Sequence, residues 1–230
     1  MNIQRISAIF EKDIKDFMKN MMLLVLPVIP IVTALMFDGI GEDKLPLALS
    51  YVIVGGTFST VTSSCIMTMM AEENEKKTLR GLIQSPASLL DIIVGKSLVT
   101  GLITLISLVV SLMIIGIEPF LNFRVFVGLI LLFLFFLLLG IGIGLFSKSL
   151  AATSAYLMPV IFLFGFTPML NAFGFAEDSM AIKITDMFPV MQAIEIHDTN
   201  SWLPMGILAV WIIGAGLFTY VCFRKSMTDD

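Results

Sequence analysis

Charge is what this chain of 230 residues has least of: Asp, Glu, Lys and Arg together make up 14%, where a soluble domain carries about 25%. With 57% hydrophobic residues and a mean hydropathy of +0.98, an ordinary water-soluble globule is excluded. A basic excess is also missing, since 14 Lys and Arg face 18 Asp and Glu, and nothing here would attract nucleic acid. The two cysteines, Cys65 and Cys222, lie in apolar runs, which argues against a disulfide framework and against a thiolate metal site. An intramembrane protease or lipid-modifying transferase is the reading from another class. Such enzymes need paired carboxylates, His ligands or an activated Ser or Cys at membrane depth. The apolar stretches hold no Asp, Glu or His, and Ser64 and Cys65 have no base beside them.

What is abundant is apolar length. Crossing a hydrocarbon core takes about 20 mainly apolar helical residues, and six stretches meet or approach that length: Met21 to Phe37, Pro46 to Met70, Leu98 to Ile117, Val125 to Phe146, Ala151 to Phe173 and Leu203 to Phe223. Every charged residue falls outside them, as the cost of desolvating charge in lipid requires. The expected fold is therefore all-α: a polytopic membrane protein of six transmembrane helices forming one domain over 1–230. Eleven of the Lys and Arg residues, including Arg5, Lys12, Lys76, Lys96 and Lys225, fall on one side of this arrangement, and only Lys44, Arg124 and Lys183 on the other. The positive-inside rule then places both termini in the cytoplasm. The first apolar run begins at residue 21 and has no cleavage site of the A-x-A kind before Asp38, so it reads as a retained span and not a signal peptide.

Before the first span, Ile3, Ile6, Phe10, Ile14 and Phe17 recur at three- and four-residue spacing with Arg5, Lys12, Lys15 and Lys19 between them. That periodicity predicts an amphipathic helix over 1–20 lying in the headgroup plane as an elbow. Among the spans, the fourth has no polar side chain from Leu131 to Leu139 and suits a lipid-facing position. The second carries Thr57, Ser59, Thr60, Thr62, Ser63 and Ser64 beside Gly55 and Gly56, which fits either close helix packing or a cavity wall. Pro27 and Pro30 in the first span, and Pro159 and Pro168 in the fifth, predict kinks. Gly140 and Gly144 have the spacing of tight helix packing.

The segment 71–97, between the second and third spans, is the most informative. An acidic cluster, Glu72, Glu73 and Glu75, precedes Thr78, Leu79 and Leu82; Ser85-Pro86 with Ser88 follows, and Gly95-Lys96 opens the next span. Residues 72–82 predict a short helix, acidic at its N-terminal end and basic afterwards, that Pro86 ends. A helix of this kind suits a groove on a soluble partner. Val94-Gly95-Lys96-Ser97 imitates the end of a phosphate-binding loop, but Leu90 stands where the first glycine belongs and no strand precedes it. This chain therefore carries no ATP site of its own.

At these residues the chain resembles the membrane subunits of type 2 ATP-binding-cassette (ABC) exporters. Their pattern, E-x-E-x-G-T-L-x-x-L, then S/T-P-x-S, then G-K, is matched by Glu73, Glu75, Thr78, Leu79, Leu82, Ser85, Pro86, Ser88, Gly95 and Lys96, with Lys77 in place of the usual glycine. The resemblance implies that residues 71–97 form a coupling loop, with Glu73, Glu75, Thr78, Leu79, Leu82, Ser85 and Pro86 coupling the chain to a separate ABC ATPase subunit that binds ATP and Mg. It also implies a second copy of this chain or a close paralogue in the complex, a bacterial plasma membrane location, and short outer re-entrant helices within 174–202. The expected substrate pathway takes Thr57, Thr60 and Ser64 of the second span with Pro159 and Pro168 of the fifth. With no charge at membrane depth to pair an ionic cargo, an amphipathic or hydrophobic one is expected: a peptide toxin, an antimicrobial peptide or a drug. Lipid or polysaccharide export is the alternative within the family, the latter less favoured because the spans are poor in Trp and Tyr. In 174–202 the lone His197 lies near Glu195 and Asp198, but without i, i+4 His spacing or Cys support this reads as a solvated outer surface and not a metal site.

Overall fold

The computed structural model describes residues 2–39, 45–76, 89–170, 180–199 and 201–228. Among the described residues all regular structure is helical. Helix α1 (Ile3–Lys19) is capped by the Asn2 side chain, and Asn20 then caps α2 (Met21–Val25). Pro27 separates α2 from α3 (Val28–Asp38). Ser107 Oγ, on a neighbouring helix, donates to the Pro27 carbonyl at 2.8 Å, so the kink predicted at this proline is held from outside the span. The second span is α4 (Leu47–Thr57), a π-helical segment Phe58–Ser63, and α5 (Ser64–Glu75). Then come α6 (Leu89–Ile115), α7 (Phe123–Phe146), α8 (Leu150–Pro159) with a second π segment Val160–Gly165, α9 (Thr167–Leu170), α10 (Met180–Asp186), α11 (Pro189–Asp198) and α12 (Leu203–Thr228).

Among the described residues, five helical stretches are long and apolar enough to cross a membrane: Met21–Asp38, Leu47–Glu75, Leu90–Ile115, Phe123–Phe146 and Leu203–Ser226. The fifth apolar stretch, predicted as one span over 151–173, is instead a shorter helix, Leu150–Gly165, that bends at Phe166 before α9. Two causes are visible. Pro168 has no N–H to give the carbonyl of Phe164, and Gly165 is pinned: a Cβ there would meet Ser59 Oγ at 2.2 Å and the Gly55 carbonyl at 3.1 Å. The two π segments thus meet where the second and fifth apolar stretches cross.

The second span forms the centre of the subunit, buried throughout from Ser50 to Ala71. The placement of α7 corrects the expectation that it faces lipid. Leu132, Phe135 and Phe136 are fully buried, and the Gly140 and Gly144 face lies so close to α5 that added Cβ atoms would meet Ser63 Cα at 2.9 Å and the Met67 carbonyl at 2.8 Å. Ser63 Oγ donates to the Phe136 carbonyl at 2.8 Å. Hydropathy alone cannot separate a lipid-facing helix from a central one, because tails and core are equally apolar; the glycines, which permit close backbone approach, carry the distinction. At the other end, His197 packs edge to face with Tyr51 and with Phe120, whose rings are tilted against each other, and α11 buries Val190, Ala193 and Ile196 against α4 and α7.

Candidate functional site

The last turn of α5 gathers four other helices. Helix α1 turns Ile6, Ile9, Asp13 and Phe17 inward, a stripe of one helical face with a carboxylate in its middle. Gly95 of α6 allows this face to come close, since a Cβ there would lie 2.7 Å from Ile9 Cγ2, and the Asn2 N–H donates to Asp91 Oδ1 at 3.0 Å. Next to Gly95, Lys96 has its side chain 2% exposed, with Nζ 2.9 Å from Glu73 Oε1 and 3.1 Å from Asp13 Oδ2. Lys12 reaches the same pair from the outside, 3.0 Å from Glu73 Oε1 and 3.4 Å from Asp13 Oδ1. Two ammonium groups and two carboxylates thus pair with one another, with exposed Asp16 3.9 Å from Lys12, the kind of pairing that lets buried charge be tolerated. Burial works to lower the Lys12 pKa, but its hydrogen bond to Glu73 and the charges of Glu73 and Asp13 outweigh this and leave it raised.

The following two residues reach other helices. Asn74 Nδ2 donates to the carbonyls of Leu145 and Ser147 at 3.4 and 2.9 Å, closing the C-terminal end of α7. Glu75 Oε2 accepts the Leu150 N–H at 2.7 Å, at the first residue of α8, where a carboxylate also complements the helix dipole. Three consecutive side chains therefore hold α1 with α6, the end of α7, and the start of α8. An open cavity of about 1110 Å³ flanks the cluster, lined by four lysines and four carboxylates together with Phe17, Met21 and Met69.

Of the residues predicted to couple to an ATPase, Glu73 turns into the bundle and Glu75 onto α8, while Thr78, Leu79, Leu82, Ser85 and Pro86 lie outside the described residues. Lys96, matched in sequence but given no role, is the centre of the cluster, and Asp13 and Lys12 went unrecognised. The available signal was an acid at position 13, four residues from both Ile9 and Phe17 on an otherwise apolar stripe. Val94 to Ser97 lie inside α6, a continuous helix, and not in a phosphate-binding loop.

The residues expected to line a pathway are placed as follows. Thr57 and Thr60 are buried, and their hydroxyls donate to the carbonyls of Ile53 and Gly56 of their own helix at 2.8 and 2.7 Å. Ser64 is also buried, Pro168 is buried in α9, and Pro159 is exposed where the second π segment begins. Thr62 and Thr104 share a hydrogen bond of 3.0 Å between the second span and α6. At the far end, Tyr51 Oη and His197 Nε2 are 2.8 Å apart. Burial lowers the His197 pKa, with the charge of Asp198 acting against it.

Among the described residues, five long apolar helices, four of them packed around the buried fifth, Leu47–Glu75, with charge gathered at the helix ends, define a multi-pass helical membrane protein. Residues 45–221 match the family described as ABC-2 family transporter protein. The chain belongs to that family, and is the membrane-spanning permease subunit of an ABC transporter, whose ATPase resides on a separate partner chain. Comparison with curated proteins finds no match.

Proposed function

We propose that this chain is the permease half of an exporter that moves an amphipathic or hydrophobic substrate, such as a peptide toxin, an antimicrobial peptide or a drug, outward by alternating access. The partner ATPase binds ATP and Mg, and two copies of the permease complete the complex in a bacterial plasma membrane, with both termini cytoplasmic. Residues 71–97 form the coupling loop, α1 is the elbow helix, the apolar stretch around α8 and α9 completes the six spans as the fifth, and α10 and α11 close the outer end as re-entrant helices. Cargo moves past Thr57, Thr60 and Ser64 and past Pro159 and Pro168.

The observation that carries this reading is the three-residue clasp of Glu73, Asn74 and Glu75. The segment holding Thr78, Leu79, Leu82, Ser85 and Pro86 joins this clasp on one side to the helix bearing Asp91 and Lys96 on the other, so a push on it acts on α1, α6, α7 and α8 together. Absence of charge within the apolar stretches supports the cargo class. Replacing Leu79 and Leu82 with Asp tests the reading, because both carboxylates would enter an apolar docking groove. ATPase stimulation by the permease is expected to fall at least about tenfold, equivalent to about 1.4 kcal/mol of docking free energy, with expression and insertion retained. Unchanged stimulation and export would remove the segment from the mechanism.

A further inference from the structure

Two apolar stretches change helix geometry at the same level. The second is π-helical over Phe58–Ser63 and the fifth over Val160–Gly165. In a π turn an N–H reaches the carbonyl five residues back instead of four, as the Phe166 N–H does to Ile161 at 2.8 Å, so each segment takes in one residue more than an α-helix needs. The two segments touch. Ser59 lies against Gly165, and a Cβ on Gly55 would run into the Gly165 carbonyl.

On either side of this crossing the same two stretches pair again. Toward the clasp, α5 packs on α8, and Glu75 accepts the Leu150 N–H at 2.7 Å. Away from it, α4 packs on α9, with Phe166 against Gly56. Each stretch therefore consists of two α-helical rods, and the breaks between rods coincide.

Hydroxyls sit on backbone carbonyls at both breaks. The Gly56 carbonyl accepts from Ser59 Oγ at 3.2 Å and from Thr60 Oγ1 at 2.7 Å. Thr167 Oγ1 lies 2.7 Å from the Leu163 carbonyl and 3.3 Å from that of Phe164. Side chains that bond back in this way favour bending. They also lower its cost, because a buried carbonyl that holds a hydroxyl is not left bare while its backbone donor is exchanged.

We propose that the crossed π segments form the hinge of the permease, about which α5 and α8 swing as one unit against α4 and α9 when the ATPase acts. The inference rests on family membership and on coupling to an ATPase, and takes nothing from the cargo or the direction of transport.

The test is amide hydrogen exchange, read by mass spectrometry, on the full chain in complex with its ATPase, without nucleotide and with ATP and vanadate. Exchange in 58–63 and in 160–165 is expected to change together by at least about threefold, with 51–54 unchanged. A change confined to 71–97 would keep the coupling segment and overturn the hinge, as would a change in only one of the two segments or in neither. Deleting Ser59 removes the extra residue of the second stretch and keeps α4 and α5 in register, so this variant is expected to insert, bind the ATPase and lose the nucleotide response in both segments. Deleting Met67 from α5 turns Glu73 by about 100° relative to α4 and is expected to prevent assembly. Thr167→Val, which keeps the side-chain shape, is expected to reduce the response in 160–165 at least about twofold. A Ser59 deletion as damaging as that of Met67, a Ser59-deleted complex with the full response, or an unaltered response in Thr167→Val would each overturn the proposal.

Discussion

Lys96→Met removes the charge at the centre of the α1–α5–α6 cluster while keeping most of the side-chain volume, so the loss it causes is mainly electrostatic. The Lys96 ammonium holds Glu73 at 2.9 Å and Asp13 at 3.1 Å, with all three side chains less than a tenth exposed. Removing one partner of a buried ion pair costs about 3–5 kcal/mol. Lys12 stays in contact with both carboxylates, but its side chain is 51% exposed, and exposed pairing is worth only about 0–1 kcal/mol. A destabilisation of about 3 kcal/mol is therefore expected, at the lower end of the buried-pair range. Adding Glu73→Gln removes the carboxylate that loses its nearest cation, the Lys96 ammonium at 2.9 Å. The double variant is accordingly expected to be more stable than Lys96→Met alone by about 1–2 kcal/mol, although it carries one more substitution. Equilibrium unfolding of the full chain by SDS in mixed micelles, followed by the fluorescence of Trp202 and Trp211, measures both. A Lys96→Met protein as stable as the unsubstituted one, or a double variant destabilised by the sum of its single changes, would refute the charge-balance argument.

Tyr51→Phe is expected to cost about 1 kcal/mol through loss of the hydrogen bond to His197. Because burial lowers the His197 pKa, the stability it contributes is complete above the unperturbed value of about 6.5 and declines as pH falls through the lower folded value; thermal unfolding across this range should slope in the unsubstituted protein and flatten in His197→Gln. Gly165→Ala is expected to lose at least about 1–3 kcal/mol or to prevent assembly, since its Cβ would lie 2.2 Å from Ser59 Oγ. Gly214→Ala, on α12 with nothing within 4 Å of the added carbon, should be neutral or slightly stabilising by the same unfolding assay. In a background lacking Cys65 and Cys222, single cysteines near Lys76 or after Lys225 should resist a membrane-impermeant thiol reagent in intact cells while one near Glu195 reacts, and the opposite pattern would invert the proposed orientation.

The spans were legible because lipid imposes a one-dimensional rule. Charge is excluded over about 20 residues, and each of the five long helices corresponds to one apolar run. The helical periodicity before residue 20 was legible for a similar reason, although Ile3, counted on its apolar face, is 82% exposed and Asp13, not counted, is buried. What hydropathy could not convey was which helix faces which. Leu131 to Leu139 satisfied every criterion for lipid exposure and yet packs against the central span, and the clue lay just beyond it in Gly140 and Gly144. The break at Phe166 was only half legible: Pro168 announced a kink, but the pinning of Gly165 against Ser59 joins residues more than a hundred positions apart, and periodicity along one segment says nothing of such a contact.

The acidic motif shows most directly how a correct pattern can carry an incomplete meaning. Glu73 and Glu75 are two residues apart, so on a helix they point to different sides, and a single docking groove could not be expected to receive both. Their partners follow from that geometry. Glu73 meets Lys96 and Lys12 on the side of α1 and α6, and Glu75 caps α8 on the other, with Asn74 reaching the end of α7 between them. An acid that is buried and paired cannot reach a soluble partner without breaking that pair, whereas it can pass on a displacement of the backbone that carries it. In the proposed coupling device, buried Glu73 thus fits the transmitting side, and Leu79 and Leu82, with their apolar side chains, are the ones suited to the receiving side. This division makes opposite demands on the two sets of variants. Changes at Glu73 or Lys96 should alter the stability of the isolated chain, and changes at Leu79 or Leu82 should leave that stability alone and alter only what happens when the ATPase is present.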